Sequence, residues 1–169
     1  MDDPARTMIV LDHGSSRFQF RAGALIWSNQ HILIHRAVND PFWALPGGRV
    51  EFHEAGSDAL AREIEEEIGC GAHIGPLRFV IENFFELGGR KAHEIGFYYE
   101  AELSRPLAFD EHGIVHRSRD GETDLEFRWV MPTPDNLKAF DLKPLPLRGL
   151  LHTMPEGMKH IVYRDGSVA

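Results

Sequence analysis

Between Gly47 and Cys70 the chain reads GGRVEFHEAGSDALAREIEEEIGC, and its glutamates are spaced for metal chemistry. On a helix, residues three and four apart share a face, so Glu63, Glu66 and Glu67 should project together, opposite a Leu60–Ile64–Ile68 stripe. Like charges at such spacings repel by roughly 0.2–0.5 kcal/mol per pair on an isolated helix. A hard divalent cation relieves that repulsion, and Mg²⁺ takes oxygen ligands from one or two carboxylates, waters and substrate phosphates. Arg62 is the one cation in this acidic turn; it can pair with Glu66 or reach back to Glu54. Gly47 and Gly48 let the backbone approach closely, so that a carbonyl there can complete a coordination sphere. Taken alone, a glutamate-rich helix is more often a solvated face. Its surroundings must decide.

The elements that would carry these residues can be read from periodicity. Ser57 to Ile68 has helical spacing, with Ser57 as a plausible N-cap, Asp58 in the first turn and Gly69 as terminator. Phe18 to Trp27 alternates like a strand, and Gln30 to His35 should be its hairpin partner across the Ser28-Asn29 turn. Asn39-Asp40-Pro41 and Pro46-Gly47-Gly48 are breaks. Further strands are expected at Leu77–Ile81, Lys91–Leu103 and Asp124–Val130, with helices within Pro134–Phe140 and around Pro146–Met154. Lys159–Arg164 reads as a small terminal strand. An early helix among strands, with more helices late, predicts a mixed sheet covered on both faces, an α/β or α+β sandwich. The expected organisation is residues 1–15 as an extension or edge strand, 16–156 as the domain, and 157–169 as a tail or small strand.

Composition narrows the class of partner. The chain has 169 residues, a 43% apolar fraction and a net charge of −8, which suits one ordinary folded domain and disfavours non-specific nucleic-acid binding. A phosphate substrate stays possible, because metal ions can reverse the local field. Cys70 is the only cysteine, so neither an internal disulfide nor a cysteine-based zinc cluster can form. The ten histidines lack the spacing of a zinc-protease helix. No stretch has the ~20 apolar residues of a membrane span, and the N-terminus lacks signal-peptide regions, so a cytoplasmic location is expected.

The segment from Gly48 to Cys70 resembles the box of the Nudix family, Gly-x5-Glu-x7-Arg-Glu-U-x-Glu-Glu-x-Gly-U, with U a bulky aliphatic. Gly48, Glu54, Arg62-Glu63-Ile64, Glu66-Glu67 and Gly69 fall at the required intervals. Cys70, at the last U, is the one departure, in a packing position. Trp43-x-Leu45-Pro46 also resembles the family's usual approach to the box. The resemblance implies an α/β/α sandwich, Mg²⁺ or Mn²⁺, and hydrolysis of a phosphoanhydride bond in a nucleotide or nucleoside diphosphate derivative. It implies Glu63, Glu66 and Glu67 as metal ligands, the Gly47 carbonyl as a further one, and Arg62 and Glu54 as residues that position them.

Outside the box, Glu94 and Glu122 are candidate accessory carboxylates, since the family often supplies an acidic residue from elsewhere. Arg21, Arg36 and Arg90 could meet phosphates, and Phe42, Trp43, Phe84 and Phe85 could stack on a base, although each type is more often solvated or core. The expected partner is a nucleotide-type small molecule, with a homodimer left open. The competing reading, a catalytically inactive sensor on the same fold, fits less well because such proteins commonly lose box glutamates and this chain keeps them.

Overall fold

The computed structural model describes residues 7–166. Along them run β1 (Val10–His13), β2 (Ser16–Leu25), β3 (Trp27–Ser28), β4 (His31–Ala37), β5 (Gly47–Arg49), α1 (Gly56–Ile68), β6 (Ala72–Leu87) and β7 (Arg90–Leu103). Then follow β8 (His116–Asp120), β9 (Thr123–Val130), α2 (Pro134–Ala139), α3 (Pro146–His152) and β10 (Lys159–Arg164).

The first sheet is mixed and has the order β1-β2-β7-β6-β10, with β5 also on β2. β2 runs parallel to β7 and β10 parallel to β6, while β6 and β7 form a long antiparallel hairpin. The second sheet is antiparallel, β3-β4-β9-β8. This is the α+β, mixed-sheet architecture expected from the sequence, with a second sheet added.

Two cores hold the layers together. Leu60, Ile64 and Ile68 of α1 pack with Ala22, Ala24, Leu33, Phe127 and Trp129. Leu25, Ile32, Ile34, Trp43, Phe79 and Ile81 pack with Leu137, Leu147 and Leu151 from α2 and α3. Strand β4 feeds both, Leu33 pointing to one core and its neighbours to the other, as a strand buried on both faces must. Each fully buried Leu or Ile contributes about 1.5–3 kcal/mol.

Several expectations need correction. Phe18–Trp27 and Gln30–His35 do not form one hairpin. Asn29 and Gln30 do make a tight turn with positive φ, but it joins only Trp27-Ser28 to His31-Ile32. At Ile26 the chain leaves the first sheet for the second, so β2 and β4 lie in different sheets. Ser57 is not the N-cap: the helix begins at Gly56 after the extended Ala55, which makes no side-chain cap bond. The preceding loop is held instead through Glu54, whose carboxylate accepts from the Glu51 N–H and from Arg62. The expected Leu77–Ile81 strand extends over Ala72–Leu87, because register shifts near Gly75-Pro76 are absorbed within the ladder. Among the described residues no helix is long and apolar enough to cross a membrane.

Candidate active site

Helix α1 does not present its glutamates away from the core. Glu63 and Glu67 are buried beside the Leu60–Ile64–Ile68 stripe, and only Glu66 of the three is exposed. The stripe is narrow, so positions one residue from it still face the sheet. Two carboxylates at i and i+4 are thereby placed inside the protein, where a charge must find a partner.

Arg62 is the chief partner. Its Nε and Nη2 donate to the two Glu54 oxygens at 2.8 and 2.9 Å, a bidentate fork. Nη1 donates to Glu63 at 2.7 Å and, more distantly, to Glu66 at 3.5 Å, while Nη2 also reaches the Arg49 carbonyl at 3.2 Å. One guanidinium thus ties the loop before the helix, strand β5 and the helix itself. Its pKa is raised, first by the Glu54 hydrogen bonds, against the cost of burial.

Glu63 and Glu67 are then placed by their neighbours. A Cβ on Gly48 would lie 2.3–2.5 Å from the Glu63 carboxylate, so glycine is required there for the carboxylate to fit. Burial pushes the Glu63 pKa up and Glu67 adds to this, while the Arg62 hydrogen bond pulls it down. Glu67 Oε2 lies 3.2 Å from His35 Nδ1; both atoms are buried and neither has a hydrogen-bond partner. His35, on β4, was hidden in the sequence among nine other scattered histidines. Among the described residues no three His, Cys, Asp or Glu side chains converge on one point: Glu63 is turned to Arg62 and Glu67 to His35.

Next to this cluster a cavity of about 340 Å³ opens over the first sheet. The link is Arg21, whose Nη2 donates to the Gly47 carbonyl at 3.3 Å. Burial opposes its charge, but Glu94, Tyr98, Glu67 and Glu63 outweigh it and raise its pKa. Glu94 is buried and accepts a short hydrogen bond from Gln19 across the β2–β7 pair. Its strand face is therefore the more buried one, since Glu94, Gly96 and Tyr98 all turn inward while His93, Ile95 and Phe97 are half-buried. Tyr98 covers Gly96 and Gly23, where an added Cβ would come within 2.7–2.8 Å of its ring. A larger cavity of about 770 Å³, lined by Trp27, His73 and Trp129 among others, carries no box residue.

The other candidates divide. Arg21, Arg90, Phe42 and Phe85 line the smaller cavity, together with Arg17, Arg49 and Lys143, which the sequence reading passed over. The signal for Arg17 was present: Arg17, Gln19 and Arg21 alternate along β2 opposite Phe18 and Phe20. Arg36 lies outside that lining; it donates to Glu126 at 2.8 Å and stacks on Trp43. Trp43 is core, edge-on to Phe140, and Phe84 lies against His93 and Arg164. Glu122 is exposed in the turn between β8 and β9, in the other sheet from Glu94.

The chain is similar to several known proteins. A protein of Bacillus subtilis (strain 168), provisionally named an 8-oxo-dGTP diphosphatase, is 30% identical over 111 residues, 62% of this chain. The match spans 60% of that relative's length. Among solved structures, the MutT protein of Bacillus halodurans aligns with a TM-score of 0.60 at 14% identity, covering 89% of this chain and 93% of that one. The E. coli ORF135 protein aligns at 0.53 and 23% identity, covering 86% and 99%. At such identities these structures speak for the fold alone. The NUDIX domain model matches residues 17–144, which takes in the box helix and the part of the cavity lining contributed by β2, β5, β6 and β7, and the chain belongs to the Nudix hydrolase family.

Proposed function

We propose that this protein hydrolyses a phosphoanhydride bond in a nucleotide-type small molecule, with Mg²⁺ or Mn²⁺ as cofactor. The observation that carries the reading is the adjoining of two buried box carboxylates, Glu63 and Glu67, to a cavity lined with arginines. A chain of net charge −8 concentrates Arg17, Arg21, Arg49, Arg90 and Lys143 around one cavity, which suits a polyanion.

The residues fit a hard divalent cation. The donors are oxygens, Glu67 Oε2 is buried without a hydrogen-bond partner, and Glu63 sits where burial disfavours its charge. Glu63, Glu66, Glu67 and the Gly47 carbonyl would hold it. When bound, such an ion neutralises phosphate charge and acidifies a bound water. The chain's own share is distinct. Arg21 and Arg49 engage phosphate oxygens, Arg62 with Glu54 holds α1 against the box loop, and a carboxylate takes the proton from the attacking water. That last step is worth roughly 10²–10⁴-fold in rate.

The Bacillus subtilis relative's name puts 8-oxo-dGTP first in a substrate panel. Other nucleoside triphosphates, dinucleoside polyphosphates, ADP-ribose, nucleotide sugars and capped RNA complete it. Turnover should vanish with excess EDTA and return with Mg²⁺ or Mn²⁺, and reaction in ¹⁸O-water should label a phosphate product. Full activity in EDTA, or label only in the non-phosphate product, overturns the proposal.

A further inference from the structure

The cavity floor has two chemically different ends. The basic lining residues are Arg17 and Arg21 from β2, Arg49 from β5, Arg90 at the start of β7 and Lys143 in the loop before α3; none comes from β6 or β10. There the lining is Asn83, Phe85, Glu86 and Leu87 from β6 and Tyr163 from β10, with Asp165 just beyond it. The strand registers order these groups. Gln19, Glu94, Asn83 and Tyr163 form one row across β2, β7, β6 and β10, with Phe85 two residues along β6 from Asn83. Neighbouring strands lie about 4.8 Å apart, so Asn83 stands roughly 10 Å from the arginine strand.

Asn83 is the anomaly in that row. It is only 7% exposed, and its Oδ1 has no hydrogen-bond partner. A buried polar atom left without a partner is unfavourable, and a ligand N–H or O–H would recover that loss. Phe85 and Tyr163 flank it with flat apolar surface, as a planar heterocycle needs. Asp165 and Glu86 make this end unfavourable to phosphate and add acceptors for N–H groups.

We infer that Asn83, flanked by Phe85 and Tyr163, is the specificity-determining residue that reads the nucleobase, while the phosphates lie towards Arg21 and Arg49. The inference rests on the hydrolase reading above and adds the orientation of the substrate. The nucleotide lies across the strands, its base over β6 and β10 and its anhydride beside the box. Because the carboxamide contacts the base and not the reacting phosphate, its loss should appear in binding and KM, not in kcat.

The test uses two non-hydrolysable probes: a nucleoside triphosphate with methylene bridges in place of the anhydride oxygens, and the same ribose triphosphate without its base. Calorimetric titration of the parent should favour the base-bearing probe at least tenfold. Asn83→Leu, of similar size, should remove most of that preference and leave the base-free probe unchanged, with melting temperature checking the fold. Tyr163→Ala, on an edge strand, should act in the same direction. Equal weakening of both probes, no weakening by either variant, or no preference in the parent overturns the assignment of Asn83. If the parent binds neither probe, the assignment falls together with the hydrolase reading. If the parent hydrolyses nucleotides in the panel while the Asn83 variant discriminates like the parent, only the assignment of Asn83 falls.

Discussion

The two charged regions of the site are built on opposite plans. Around Arg62, one guanidinium is enclosed by Glu54, Glu63 and Glu66, with hydrogen bonds from 2.7 to 3.5 Å. Around Arg49, a guanidinium is crowded by its own kind. Burial lowers its pKa, Arg17 and Arg21 lower it further, and its side-chain hydrogen bond is to the Met8 sulfur at 3.7 Å. The first cluster is complete in the free protein and holds structure together. The second is compensated only in part, by Asp12 on Arg17 and by Glu94. A charged residue near an active site thus serves as scaffold or as receptor, and its partners tell which.

The largest effect should come where the box carboxylates meet the reaction. Glu67→Gln keeps the shape of the side chain and removes its charge, so kcat should fall by about 10²-fold or more with circular dichroism unchanged. Glu66→Gln should behave similarly. Near-parental rates in both would remove the carboxylates from the chemistry and leave the comparison purely structural.

Arg62→Ala attacks the scaffold. It strands Glu54 and Glu63, both mostly buried, and should lower stability by about 2 kcal/mol, short of the 3–5 kcal/mol of a fully buried pair because Arg62 retains some exposure. A denaturation midpoint within error of the parent would deny Arg62 its holding role. Arg49→Gln should do the reverse. Relief of like-charge repulsion leaves stability unchanged or slightly raised, while KM rises about tenfold at nearly constant kcat, a loss of ~1.4 kcal/mol. Equal losses of stability in the two variants would erase the distinction between the clusters.

The smallest contrast separates the two carboxylates outside the box. Glu94→Gln should lower kcat about tenfold, because Gln19 and Arg21 hold this buried group at the cavity. Glu122→Gln, in an exposed turn, should leave kcat and the Mg²⁺ dependence as they are. A large effect at Glu122 would mean that the β8–β9 turn reaches the substrate.

How much of this was legible beforehand follows from what periodicity can carry. The box residues lie close together along the chain, on α1 and the loop just before it, so Glu54, Arg62 and Glu63 were found together in the structure as they were in the sequence. Which side of α1 they occupy was misread, because apolar residues marked the buried face and a buried glutamate looks like a surface one. The cavity was harder. Gln19, Glu94, Asn83 and Tyr163 are brought side by side by strand registers that pair residues far apart in the chain, two of them parallel. Alternation says which face a residue occupies but not which strand lies next to it. Arg36 and Trp43 show the converse: residue type suggested substrate binding, and packing assigned them to each other and to Glu126 and Phe140.

The position of β10 has a consequence for how the protein is made. Tyr163 and Asp165 line the cavity, and β10 joins the sheet through parallel pairing with β6, about eighty residues upstream. A chain growing from its N-terminus can assemble α1, β2 and the β6–β7 hairpin well before that strand has left the ribosome. The box helix would then be in place while one wall of the cavity is still missing. Recognition of a substrate would wait on the synthesis and docking of β10.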